Sequence, residues 1–84
     1  MNELRIKKAE LEGFKNYLIM EERSKGTIKK YIHDIDCFLN YIGKNPVTKA
    51  QIISYKESLQ KKYSARSVNT MLASLNSFFR WLDH

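Results

Sequence analysis

Apolar residues recur along this chain at steps of three and four, the period of a helix that buries one face. The widest stripe lies near the carboxyl end: Val68, Met71, Leu72, Leu75, Phe78, Phe79 and Leu82. A second runs through Ile28, Tyr31, Ile35, Phe38 and Ile42, widened by Ile32 and Leu39. Two narrower stripes are Leu11, Phe14 and Leu18 with Tyr17 beside them, and Ile52, Tyr55 and Leu59. No stretch alternates with period two, and there is no internal repeat or low-complexity segment. The pattern predicts four helices and no strands, the last helix forming the main wall of the core.

Helix-end signals set the expected bounds at about residues 3–22, 25–42, 49–61 and 65–83. Ser24 and Ser64 can each cap a helix by accepting a first-turn amide hydrogen. Thr48 and Gln51 form a T-x-x-Q capping box, flanked by Val47 and Ile52 as a hydrophobic staple. Tyr63 and Val68 form the equivalent pair for the last helix. Gly43 suits the left-handed position after a helix, and Pro46 blocks its continuation. Gly13 falls inside the first helix and should weaken it by up to about 1 kcal/mol without ending it. Short links between helices of this length predict a compact, all-α four-helix bundle, with residues 1–84 as a single domain.

Composition narrows the class. Of the 84 residues 43% are hydrophobic, enough for a packed core and against disorder. A chain this short still buries only about 60% of its unfolded surface, so stability should be modest. No apolar run approaches the roughly 20 residues of a membrane span. The charged amino terminus leads into no secretory core. Cys37 is the only cysteine and cannot staple its own chain, which fits a reducing, cytoplasmic setting. The net charge of +6 is concentrated in two blocks. Arg23, Lys25, Lys29 and Lys30 stand together without an acid. Lys44, Lys49, Lys56, Lys61, Lys62 and Arg66 face Glu57 alone. Such blocks suggest a polyanionic partner, though a solvated basic surface has the same composition.

The helix faces left outside the stripes locate these charges. On the last helix the outward positions are Arg66, Asn69, Thr70, Ala73, Ser77 and Arg80, with no acid among them. An ordinary solvated face would carry interspersed Glu and Lys. On the second helix the outward face begins with Lys29, Lys30 and His33 and continues to Cys37, Asp36 and Asn40. Both helices therefore present cations, hydroxyls and amides near their amino ends, where the dipole and free amides also favour phosphate. Asn and Arg are residue types that can read base edges.

The motif Ser24-x-x-Thr27-x-x-x-Tyr31-x-x-Asp34-Ile35-x-x-Phe38 resembles the second helix of the core-binding domain of tyrosine recombinases, the phage-type integrases. The run from Ser64 to Leu82 resembles that domain's closing helix, and Phe14-Lys15-Asn16-Tyr17-Leu18 its first. The resemblance covers about residues 11 to 83. It implies a SAM-like bundle that holds double-stranded DNA through its second and fourth helices in the major groove. Carried over by position, it nominates Lys25, Thr27, Lys29 and Lys30 on one helix and Arg66, Ser67, Asn69, Thr70 and Ala73 on the other. Gly26 and Ala73 depart from it in offering no side-chain hydrogen bond. In such proteins the nucleophilic tyrosine and its arginines, lysine and histidines sit in a separate, C-terminal catalytic domain. The resemblance thus implies that this chain is no enzyme by itself and takes no cofactor. It also implies a monomer in isolation and a parent tetrameric on synapsed DNA. The five tyrosines have no matching catalytic role and read as core or rim residues.

Other chemistry is thin. His33 and Cys37 share a helix face at metal-binding spacing but lack a second pair, so no metal is expected. Asp34 and Asp36 point to different sides, which suits no acid–base pair. No phosphate-cradling glycine loop or nucleophile elbow is present. Trp81, at the margin of the last stripe, is placed either to lid the core or to meet another domain. Two other readings are a helix-turn-helix DNA-binding regulator, which needs a short recognition helix, and a helical protein-interaction domain, which needs an exposed apolar groove.

Overall fold

The computed structural model describes residues 8–83 as four helices: α1 (Lys8–Met20), α2 (Lys25–Ile42), α3 (Lys49–Gln60) and α4 (Ala65–Leu82). The expected start of the first helix at residue 3 and the terminal His84 lie outside the described residues. Each later helix begins on a hydroxyl cap. Ser24 accepts from the Thr27 amide at 3.1 Å, Thr48 from the Gln51 amide at 3.1 Å and Ser64 from the Ser67 amide at 3.3 Å. Gly43, at φ 59°, closes α2 and donates its amide to the Leu39 carbonyl at 3.0 Å.

The end of α1 differs from the sequence reading, which extended it to Glu22. The helix stops at Met20, and Glu22 takes a left-handed φ of 58°. The Arg23 amide reaches back to the Leu18 carbonyl at 3.2 Å and the Glu22 amide to the Ile19 carbonyl at 3.0 Å. This pair of bonds is a Schellman closure, usually built on glycine. With glutamate at the left-handed position, the local sequence carries no glycine to announce the stop. The helices α3 and α4 end at Gln60 and Leu82, one residue before their expected limits.

The four stripes meet in one core. It contains Phe14 and Leu18 of α1, Ile35, Phe38 and Ile42 of α2, Tyr55 and Leu59 of α3, and Val68, Met71, Leu75 and Phe78 of α4. Each fully buried large apolar side chain contributes about 1.5–3 kcal/mol relative to exposure. Aromatic rings carry much of the packing: Phe14 meets Phe78 edge-on at 5.2 Å, and Phe38 meets Tyr55 at 5.2 Å and Phe79 at 5.8 Å. Burial pushes the Tyr55 phenol up to about 12, with smaller contributions from Cys37, Asp34 and Tyr63. The bundle is a slab 36 × 33 × 18 Å, about two helix diameters thick, so both α2 and α4 keep one long side open to solvent.

Trp81 folds inward as a lid. Its ring lies 5.5 Å from Phe14, 6.2 Å from Phe78 and 6.3 Å from Tyr17. This packing explains Gly13. A Cβ there would come within 2.9 Å of Trp81 Cη2, so glycine permits α1 to approach the indole. Gly13→Ala should therefore lose about 2 kcal/mol to overpacking and regain about 1 kcal/mol of helix propensity. The expected net change in urea unfolding is a loss of about 1 kcal/mol. In a Trp81→Phe background, where the obstructing atom is gone, the same substitution should stabilise. Stabilisation in both backgrounds would contradict the packing argument.

Candidate nucleic-acid interface

The helices α2 and α4 cross at a buried polar contact. Ser74 is fully buried among Met71, Leu75 and Phe78 of the apolar stripe. Its hydroxyl donates to Asp34 Oδ2 at 2.8 Å and also lies 3.3 Å from the Thr70 carbonyl. Asp34 is itself only 3% exposed. Lys30, one turn earlier on α2, donates from Nζ to the same Oδ2 at 3.0 Å, and His33 Nδ1 stands 3.7 Å from Oδ1. A carboxylate so far removed from water needs such partners, because an unanswered buried charge is costly.

From the sequence, Asp34 belonged to the family-like motif of the second helix and, with Asp36, suited no acid–base pair; no buried role was given to it, and Ser74 was passed over. Both carried a signal. Lys30 and Asp34 have i, i+4 spacing. Ser74 lies three residues after Met71 and four before Phe78, on the core stripe, where a hydroxyl demands a partner.

Directly above this contact, the amino-terminal halves of α2 and α4 border a groove of about 580 Å³. Lys29, Lys30 and His33 line it from α2, and Arg66, Ser67 and Thr70 from α4. Gly26 and Tyr63 complete the rim, and Asp34 and Met71 lie at its base. Lys29 and Arg66 are exposed, and among the described residues no carboxylate pairs with either. The Lys30 side chain is half-exposed, and its ammonium is shared with Asp34. The Thr70 hydroxyl donates to the Arg66 carbonyl at 2.9 Å, leaving its lone pairs outward.

Of the nine residues nominated from the sequence, the groove gathers Lys29, Lys30, Arg66, Ser67 and Thr70. The other four do not line it. Lys25 lines a neighbouring cleft between α1 and α2. Thr27 is half-buried, its hydroxyl bonded by Ser24 at 2.9 Å. Asn69 and Ala73 are exposed on α4 outside the groove lining. Tyr63, just before the α4 cap, is a groove residue that the sequence reading assigned only a packing role.

His33 Nε2 and Cys37 Sγ stand 3.9 Å apart. Among the described residues no group of three His, Cys, Asp or Glu side chains is placed to hold a metal. Burial pushes the Cys37 thiol up, with Asp34 and Asp36 adding to the effect, which disfavours the thiolate that a metal would need. No helix among the described residues is long and apolar enough to cross a membrane.

Ser74→Ala tests the crossing. It removes one hydrogen bond to a buried carboxylate and should cost about 1–3 kcal/mol in chemical denaturation. An unchanged unfolding midpoint would mean that the contact contributes nothing to holding the helices.

Comparison with known proteins places this sequence in a family. The phage integrase N-terminal SAM-like domain matches residues 11–84. Tyrosine recombinase XerA of Pyrococcus furiosus is 31% identical over 81 residues, which are 96% of this chain and 28% of the relative. Tyrosine recombinase XerD of Listeria monocytogenes is 35% identical over 83 residues, covering 88% of the chain and 28% of the relative. Tyrosine recombinase XerC of Anoxybacillus flavithermus is 34% identical over 80 residues, covering 86% and 27%. The chain thus spans little more than a quarter of these relatives. No solved structure matches it. From the family match across nearly its whole length and the all-helical bundle described above, this chain belongs to the N-terminal SAM-like domains of phage integrases and tyrosine recombinases.

Proposed function

We propose that this domain is the DNA-gripping part of a site-specific tyrosine recombinase and lays α2 and α4 against the major groove of duplex DNA. The observation that carries the reading is the groove itself, where two separate helices bring Lys29, Lys30 and Arg66 together with the hydroxyls of Ser67 and Thr70. Phosphate oxygens are bound by this combination of cations, hydroxyls and first-turn amides. Lys25 and Thr27 extend the phosphate-binding edge at the start of α2. Asn69 and Ala73 continue it along α4, where asparagine can pair with an adenine edge and alanine lets the backbone come close.

The domain performs no bond chemistry in this reading. Strand cleavage belongs to a catalytic domain elsewhere in the recombinase, which closes the clamp from the other side of the duplex. Assembly of four such proteins on synapsed DNA in the cytoplasm would follow from that role. The individual contributions should differ. Lys29 and Arg66 bring full charges to the DNA, whereas Lys30 already shares its charge with Asp34.

A titration of the chain against duplex DNA over a salt series tests the reading. Each phosphate contact contributes about −0.9 to the slope of log affinity against log salt. Lys29→Ala with Arg66→Ala should weaken binding at least tenfold and flatten the slope by about two. Lys30→Ala alone should do less than either. Wild-type affinity and slope in the double variant would overturn the proposal. Indifference of the unmodified chain to DNA would favour a protein-interaction role instead.

A further inference from the structure

A further cavity, of about 400 Å³, opens on a different flank of α2, where α1 and the turn after it meet the last turns of α4. Its wall is largely aromatic, formed by Phe14, Tyr17, Tyr31 and Trp81. Arg23, from the turn before α2, and Arg80, from the end of α4, also line it, as does the Ser77 hydroxyl. Both arginines are exposed, and among the described residues no acid lines the cavity and no carboxylate pairs with either guanidinium. The Tyr17 hydroxyl is committed to Glu21 at 3.2 Å. The side-chain polar groups of the other lining residues are the two guanidinium groups and the hydroxyls of Ser77 and Tyr31.

Two permanently positive side chains lining one aromatic cavity favour an anion there. An aromatic wall favours a planar π-system. The volume falls within the range of small-ligand pockets, about 300–1,000 Å³. One chemistry satisfies all three demands: a flat ring joined to a phosphate. We propose that this cleft binds a single unpaired nucleotide, its base against the Trp81 wall and its phosphate held by Arg23 and Arg80. Stacking on aromatic rings beside a cationic track is the general way in which unpaired bases are held without sequence preference. The site is separate from the duplex groove and does not depend on it, since the two share no lining residue. Arg80 nevertheless lies on the outward side of α4, about 21 Å along the helix from Arg66 at 1.5 Å per residue. A strand leaving the groove along α4 can therefore reach it.

Trp81 is the only tryptophan of the chain, so its fluorescence reports the cleft directly. Deoxyadenosine monophosphate should quench it, and deoxyadenosine without the phosphate should need at least about ten times the concentration. In the Arg23→Ala, Arg80→Ala double variant, whose changes lie on the surface and leave the core intact, quenching by the monophosphate should weaken by at least about tenfold. In the Lys29→Ala, Arg66→Ala variant it should be unchanged, which separates failure of this site from failure of the duplex reading. A short single strand that quenches at lower concentration than the monophosphate identifies nucleic acid as the source, and the reverse order identifies a free nucleotide. Equal quenching by nucleoside and nucleotide, undiminished quenching in the arginine variant, or no quenching by any of these ligands would overturn the proposal.

Discussion

One carboxylate sets the relation between the two helices on which the rest of this domain depends. Asp34 is buried where α2 crosses α4, and its oxygens are answered by Ser74 from the far helix and Lys30 from its own. Apolar contacts alone are non-directional and tolerate sliding. A buried hydrogen bond does not, because any shift strands a charge away from both water and partner. The contact therefore fixes which residues of α2 lie beside which residues of α4, and so where the cationic groove forms. It also ties back one of the groove's own cations, since Lys30 serves the carboxylate below as well as the space above.

The surrounding architecture follows from elementary constraints on helices. Three hydroxyl caps start α2, α3 and α4 at their amino ends. Two of those ends, of α2 and α4, flank the groove, so backbone dipoles reinforce the side-chain charges there. On the other side of the core, Gly13 gives the Trp81 indole room to close over Phe14 and Phe78. The same indole then forms one wall of the arginine-lined cleft. Packing at one position of α1 thereby shapes a surface feature shared by α1, α2 and α4.

Much of this was legible in the residues. The stripes from Ile28 to Ile42 and from Val68 to Leu82 identified the helices and their inward faces, because a 3.6-residue period is a local property. Ser24, Thr48 and Ser64 marked starts for the same reason. The outward set Lys29, Lys30, Arg66 and Thr70 was readable from angles around each helix axis. What angles cannot supply is the crossing of one helix over another. Ser74 and Asp34 are 40 residues apart, and their contact exists only once the bundle has assembled. Tyr63 and Arg23 lie in turns, outside any helical period, so their places on the groove rim and in the cleft were also closed to pattern reading. The left-handed Glu22 was hidden because it takes a conformation normally signalled by glycine.

The role of the groove is decided by where duplex DNA meets this surface. Amide-resolved NMR of the labelled chain titrated with a short duplex would map it residue by residue. The predicted result is a set of shift changes concentrated at Lys29, Lys30, Arg66, Ser67 and Thr70, with the exposed positions Ile53, Lys56 and Gln60 of α3 left unmoved. Changes centred on α3, or spread evenly over every exposed lysine, would contradict it.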